Sequence, residues 1–188
     1  MMKKILFLHG FYASGQCVPA VALHEAFDGR VVVLTPDLPM NPYEAVVFIR
    51  ALCDKEKPDL LVGNSCGSFY AQMIAPVIGI PALLGNPHFQ MTEFLRPRVG
   101  AHQYKSPRKN GKQDFIIDEQ LISAFAEMEE HQFDNTRSMV GNMFGDSLES
   151  RTRWHISSRY SSNTTTIRST SLAVIHPLPM RSKHGTCH

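Results

Sequence analysis

The sequence predicts an α/β protein, a mostly parallel sheet with helices on both faces. Two observations carry that expectation. Short apolar runs of strand length alternate with segments of helical period through the first half of the chain, joined by short links. That order calls for parallel strands connected by crossover helices. The second observation is the stretch Asp59 to Tyr70, which opens as an apolar strand, turns at Gly63-Asn64-Ser65-Cys66-Gly67 and continues as a helix.

Composition sets the bounds. A chain of 188 residues is one domain by length and can bury a core without disulfides. With a net charge of +2 and 19% charged residues, nothing points to nucleic acid or to a strongly acidic partner. The four cysteines, Cys17, Cys53, Cys66 and Cys187, are scattered without a CxxC pair. A zinc site or disulfide framework is not expected, and a reducing compartment fits. At the N-terminus Lys3-Lys4 is followed by only Ile5-Leu6-Phe7-Leu8 before His9-Gly10, too short for the apolar core of a signal peptide. No apolar run reaches membrane-spanning length. The expectation is a soluble cytoplasmic protein with no membrane partner. Its oligomeric state is not legible.

Taken in order, Lys3 to Leu8 is a buried strand ended by His9-Gly10-Phe11. Tyr12-Ala13-Ser14-Gly15 is a polar turn. Val18 to Phe27 carries Val18, Val21, Ala22 and Leu23 at helical spacing and closes at Asp28-Gly29. Arg30 to Leu34 is the second strand, and Thr35-Pro36-Asp37-Leu38-Pro39 a loop punctuated by proline. Asn41-Pro42 starts a helix with a capping residue and a proline just inside. That helix runs Tyr43 to Leu52, with Ala45, Val46, Ile49 and Leu52 on one face. The strand and helix around Ser65 follow, then a short strand from Ile80 to Leu84 that ends at Gly85-Asn86-Pro87. His9, Asp37, Ser65 and Asn86 thus fall at the carboxyl ends of strands, where functional loops of such sheets cluster.

His88 to Lys112 changes character. Arg96, Arg98, Lys105, Arg108, Lys109 and Lys112 are mixed with Gly and Pro without a strong period. A small lid or insertion over residues 88–113 and a solvated loop are both open readings. Gln120 to Glu130 is an amphipathic helix with Leu121, Ile122, Phe125 and Met128 inward. Met139 to Phe144 is a candidate late strand, followed by Gly145-Asp146.

Gly-x-Ser-x-Gly between a strand and a helix is the pattern of a nucleophile elbow. The turn is so tight that a side chain at Gly63 or Gly67 would collide with a neighbouring strand or helix. It lifts the Ser65 hydroxyl above the sheet and aims the first N–H groups of the helix at one point. An ordinary glycine-rich turn is the bland alternative. In the loop after the first strand, the backbone N–H of Phe11 would pair with that of Cys66 around one carbonyl oxygen, as an oxyanion hole does. His9 reads as a structural residue that props this loop through a hydrogen bond. Cys66 reads as a packed residue that lends its N–H, and Asp37 as a turn residue rather than a catalytic acid. His88 is a pocket candidate whose bland reading is a loop residue. His24, His102 and His131 read as surface positions.

From Arg151 onward there is no Asp or Glu, Ser and Thr are dense, and only Ser171 to Ile175 could make a strand, so a disordered or loosely packed tail is the bland reading. With Ile5 to Phe11, Thr35 to Pro39, Val62 to Ala71 and Leu84 to Pro87 in view, the chain resembles the α/β-hydrolase superfamily. It looks most like the small bacterial esterases of the YqiA/YcfP-like group. The resemblance covers residues 3–146 and makes 1–146 the α/β-hydrolase core. It implies Ser65 as nucleophile, Asp146 in its Gly-Asp context as the acid, and a histidine in a loop near the C-terminus. None of His155, His176, His184 and His188 has that loop's context, and a normal final strand and helix are not recognisable. Residues 147–188 therefore read as a tail in a shifted frame or a replaced C-terminus, against a divergent but genuine tail.

The resemblance implies a serine hydrolase that cleaves short acyl esters through an acyl-enzyme, acting on a small-molecule ester with no metal or organic cofactor. His176, after the only strand-like run of the tail, is the first candidate for the base, ahead of His184. The competing readings are a catalytically impaired or non-catalytic protein on the same fold, and a thioesterase.

Overall fold

A computed structural model of the chain describes residues 2–132 and the backbone of 172–175. The elements alternate as strand periodicity and helix signals dictate. They are β1 (Lys4–Leu8), α1 (Val18–Phe27), β2 (Val32–Leu34), α2 (Pro42–Glu56), β3 (Leu60–Asn64), α3 (Cys66–Ile78) and β4 (Ala82–Gly85). After β4 come a short helix α4 (Met91–Leu95), a 3-10 turn (Arg96–Arg98), a hairpin of β5 (Gly100–Gln103) and β6 (Asp114–Ile117), helix α5 (Glu119–His131) and strand β7 (Leu172–Ile175).

The main sheet has the order β2-β1-β3-β4-β7. The first four strands are parallel, and β7 runs antiparallel to β4, with Gly85 opposite Leu172. The fold is thus the expected α/β class. The strand at residues 172–175 coincides with the one strand-like run of the tail, but it runs opposite to β4 and ends with Ile175 beside Ala82, at the amino end of the parallel strands. The chain therefore leaves it at the end of the sheet away from Ser65, against the expectation for His176.

Right-handed crossovers then fix the layers. The chain steps from β1 out to β2, so α1 covers one face. It then steps back across β1 to β3 and onward to β4, so α2 and α3 cover the other. The two cores follow this division. Phe7, Cys17 and Ala20, with Leu23 and Val62 packed against them, fill the α1 side. Leu6, Leu8, Leu61, Ala45, Ile49 and Phe69 lie in the larger cluster with Phe125 of α5.

Local chemistry explains the boundaries. Asn41 caps α2, its side-chain oxygen accepting from Tyr43 N–H at 3.0 Å and Glu44 N–H at 3.3 Å, with Pro42 at the first helical position. Asp118 caps α5 in the same way through Leu121 N–H at 2.8 Å. The four inward residues expected on α5 are all buried. Helix α1 forms where expected, but of Val18, Val21, Ala22 and Leu23 only Leu23 packs on the core. Val18 is 82% exposed, whereas Ala20 is fully buried, with Cys17 just before the helix buried beside it. Spacing alone cannot choose between a valine stripe and a small-residue stripe, and close approach to Phe7 favours the small one.

Residues 88–112 are neither a structureless loop nor unpatterned. The hairpin pairs Gly100 with Ile117 and Gln103 with Asp114, and α4 packs on α5. Its strands are four residues each, with Arg and Lys between them, too short for a period-2 signal to stand out. The candidate strand Met139–Phe144, Asp146 and His176 lie outside the described residues.

Candidate active site

Strands β1 and β3 are neighbours whose chains leave toward opposite faces of the sheet. This is the topological switch point, where α/β sheets open a crevice at their carboxyl ends. The loop at His9 to Gly15 leaves β1 there, and the turn at Ser65 leaves β3. A Cβ placed on Gly10 would sit 3.4 Å from Ser65 Cβ and 3.8 Å from its Oγ, so the two turns touch.

The turn after β3 is built by sterics. A Cβ on Gly67 would run into the Leu8 carbonyl, 2.5 Å from its carbon and 2.9 Å from His9 O. One on Gly63 would lie 2.5 Å from Gly67 O and 2.6 Å from Ser68 Cα. No real side chain accepts such distances. Ser65 between them holds φ 54° and ψ −117°, a conformation that costs a non-glycine residue about 1–3 kcal/mol. Its backbone is tied on both sides. Ser65 N–H donates to Gly85 O at 2.9 Å, and Ser68 N–H to Ser65 O at 2.9 Å. The buried Ser68 hydroxyl donates to Gly63 O at 2.9 Å, with Gly85 O at 3.1 Å. Cys66 opens α3, so its N–H is one of the donors that no helical carbonyl can take. Burial pushes its thiol up to about 12, which keeps it protonated and leaves it a packing group.

The loop after β1 is built by polar contacts instead. His9 is 3% exposed and bonds at both ring nitrogens. Nε2 accepts from Leu38 N–H at 2.9 Å, so Nδ1 must carry the proton, and it donates to Gly10 O at 2.8 Å. Burial lowers its pKa from 6.5 to about 4, outweighing the opposing bond to Gly10, and Arg108 nearby also lowers it. The imidazole is neutral at pH 7 and structural, as expected. Gly10 O also accepts from Ala13 N–H at 3.0 Å. Phe11 itself is buried, its ring meeting Tyr12, Phe94, Phe115 and Phe125 edge-on at 5.4–6.2 Å.

The hairpin closes over this loop. Lys105 N–H donates to Tyr12 O at 2.7 Å, and Ser14 Oγ to Pro107 O at 2.6 Å. Asp37 ties three segments together. Its carboxylate accepts Gly15 N–H at 2.8 Å and Lys109 N–H at 2.7 Å, the work of a turn residue. His102, expected at the surface, is partly buried instead. It stacks on Phe115 at 5.7 Å, and its Nε2 lies 2.6 Å from Arg98 O. The missed signal is its place as the inward residue of a strand too short to recognise. His24 and His131 are exposed. His88 is partly buried against Phe94 at 5.0 Å, and its Nε2 is enclosed without a hydrogen-bond partner.

Phe11 and Cys66 line one small cavity of about 20 Å³ together with His9, Gly10, Leu38 and Tyr70. Pro39, Met40 and Tyr104 form its outer wall and also line a groove of about 520 Å³ that runs between α2 and the hairpin, past Arg108 and Phe115. The roomy space is therefore beside the turns, not over Ser65 itself, and the two cavities share a wall. Of the five expected site residues, Ser65, Cys66 and Phe11 come together. Among the described residues, no three His, Cys, Asp or Glu side chains gather closely enough to hold a metal ion. No helix among them is long and apolar enough to cross a membrane.

The sequence model of the family described as "Uncharacterised protein family (UPF0227)" matches residues 4–147. The match takes in both turns and the hairpin, and the chain belongs to that family.

Proposed function

We propose that this member of the UPF0227 family is a serine hydrolase of the α/β-hydrolase kind, cleaving small carboxylic esters through an acyl-enzyme. The observation that carries the reading is the strained turn at Ser65, packed against Gly10 across the switch point, with Cys66 at the start of α3 lining the same small cavity as Phe11. A resting turn has no use for a serine held at φ 54° between two glycines that nothing larger can replace. A nucleophile does.

In this reading Ser65 Oγ attacks the ester carbonyl carbon while a histidine takes its proton. The carbonyl electron pair moves onto oxygen and is held by the Phe11 and Cys66 N–H groups. Collapse expels the alcohol, which receives the proton from the histidine. Water then repeats the sequence on the acyl-enzyme and frees the acid and Ser65. Asp146 is the carboxylate that orients the histidine, and the antiparallel run of β7, which ends with Ile175 beside Ala82 at the amino end of the sheet, favours His184 over His176 as that histidine. The order Ser65, Asp146, histidine is that of α/β-hydrolases. The groove of about 520 Å³ is large enough for a small ester to enter from the side of Tyr104. The compartment is the cytoplasm, and the roles call on no cofactor.

A second reading rests on the sequence after Ser147, which lacks acidic residues from Arg151 onward and offers no histidine in the loop context of α/β-hydrolases. In it the chain keeps the fold and the elbow but turns over slowly or not at all. Hydrolysis of p-nitrophenyl acetate and of an acyl-CoA by the chain, beside Ser65→Ala, Asp146→Asn, His176→Ala and His184→Ala, separates the readings. The esterase reading expects turnover of the p-nitrophenyl ester that is lost in Ser65→Ala, falls steeply in Asp146→Asn and His184→Ala, and stays near the parent in His176→Ala. Faster turnover of the acyl-CoA makes it a thioesterase. No turnover by the parent chain establishes the impaired reading.

A further inference from the structure

We propose that Arg108 is a positioning residue for the oxyanion hole, acting from the hairpin through Leu38 and His9 on the peptide that carries the Phe11 N–H.

The chain of contacts is short and each link has one direction. The Arg108 guanidinium lies over the Tyr104 ring, its carbon 4.4 Å from the ring centre, and Nη2 donates to Leu38 O at 3.0 Å. The next residue is Pro39, which has no N–H. The Leu38–Pro39 peptide therefore has one polar handle, and Arg108 holds it. On the other side of the same residue, Leu38 N–H donates to His9 Nε2 at 2.9 Å. That bond fixes the tautomer, so His9 Nδ1–H points at Gly10 O at 2.8 Å. Gly10 C=O and Phe11 N–H belong to one planar peptide and point in opposite directions. Holding the oxygen from behind, with Ala13 N–H as a second donor, aims the Phe11 N–H forward.

Apart from its stacking on Tyr104, the Arg108 guanidinium is committed to Leu38 among the described residues. Its Nη1 is enclosed and meets no acceptor, so its one hydrogen bond goes to Leu38. Leu38 itself is 4% exposed, so water cannot stand in for the guanidinium at little cost. Arg108 also lines the groove that shares a wall with the oxyanion cavity. The aim of the donor is thus set from the segment that bounds the substrate space.

Only the last step, from N–H orientation to rate, rests on the esterase reading. The test has two readouts for that reason. Arg108→Met keeps the stem over Tyr104 and removes the donor, and Arg108→Lys restores a charge and one donor. The first readout is the nuclear magnetic resonance of the Phe11 amide and the His9 ring. In Arg108→Met the Phe11 amide resonance moves and its hydrogen exchange speeds up. The His9 pKa rises from about 4, because the guanidinium that opposes its charge is gone while Asp37, the other charged group near the ring, remains. Arg108→Lys recovers most of both changes. The second readout is turnover of a p-nitrophenyl ester and inhibition by a trifluoromethyl ketone, which forms an oxyanion on Ser65. Arg108→Met lowers kcat about tenfold with KM within twofold, and weakens the ketone by the same factor.

A Phe11 amide unmoved in Arg108→Met overturns the relay, whatever the activity. So does a loss shared equally by KM and by melting temperature, with no loss of ketone affinity beyond that of substrate. An amide that moves in a parent chain that neither turns over nor binds the ketone overturns the esterase reading and leaves the relay standing as structure.

Discussion

The two turns that meet at the switch point do the same job by different physics. The turn after β3 is held by shape. Gly63 and Gly67 are there because the chain passes within contact distance of Leu8, His9 and Ser68, and no side chain fits. The loop after β1 is held by hydrogen bonds from a buried neutral histidine, itself tied to Leu38 and through it to Arg108. A sterically built turn fails all at once when its space is filled. A polar one loosens by degrees, with pH and with the loss of each donor.

The largest effect belongs to the glycines. Gly67→Ala places a carbon against the Leu8 carbonyl, where only a backbone shift of β1 or α3 can relieve it. Overpacking of this kind against backbone should cost on the order of 3 kcal/mol or more, with Gly63→Ala close behind. Circular dichroism melts of the two variants should show little or no cooperative transition at the parent's melting temperature. A parent-like melt would mean that the turn is looser than its contacts indicate.

His9 comes next, and its effect depends on pH. An unfolded chain takes up the imidazole proton near pH 6.5, while the folded chain does so only near 4. Between those values the unfolded state binds more protons, so stability is fully present above about pH 6.5 and is lost as pH falls toward 4. The loss should reach roughly 3 kcal/mol at most. Replacing His9 by Gln removes this titration. Urea unfolding should show the variant less stable at neutral pH but with a shallower decline toward pH 4 than the parent. Parallel declines would place the acid sensitivity elsewhere.

Asp37→Ala tests the ties between the loops. It strands the N–H groups of Gly15, which is buried, and of Lys109, which is exposed, so about 1–2 kcal/mol is expected. Faster hydrogen exchange at those two amides, with the elbow amides unchanged, is the pattern that separates the polar loop from the steric turn. At the opposite end of β1, Lys3 pairs with Asp59 at 2.6 Å, but the lysine side chain is 74% exposed. Lys3→Ala should leave the melting temperature unchanged within error, since such surface pairs are screened and entropically costly.

The same contrast decides what a reader of the sequence can see. The elbow is legible because its cause is local. Two glycines flanking a serine, a strand before and a helix after all fall within a dozen residues. The cap of α2, the inward face of α5 and the role of His9 are legible for the same reason. Arg108 is not, because its partner is 70 residues away in the chain and nothing in Ser106-Pro107-Arg108 announces it. The hairpin escapes notice because each strand is four residues long. The choice of Ala20 over Val18 on α1 escapes because it depends on how closely the helix lies on Phe7. For the candidate site, the serine and the two backbone N–H groups proposed as donors could be named from the sequence, whereas the contacts of Arg108 and Leu38 proposed to aim one of them could not.

The central claim is that Ser65 is an activated nucleophile. Incubation of the chain with a fluorophosphonate, followed by intact and peptide mass spectrometry, tests it without any assumption about substrate. The account predicts a single phosphonyl adduct on the peptide containing Ser65, formed at neutral pH and absent from Ser65→Ala. No adduct under those conditions, or one that persists in Ser65→Ala, would contradict it.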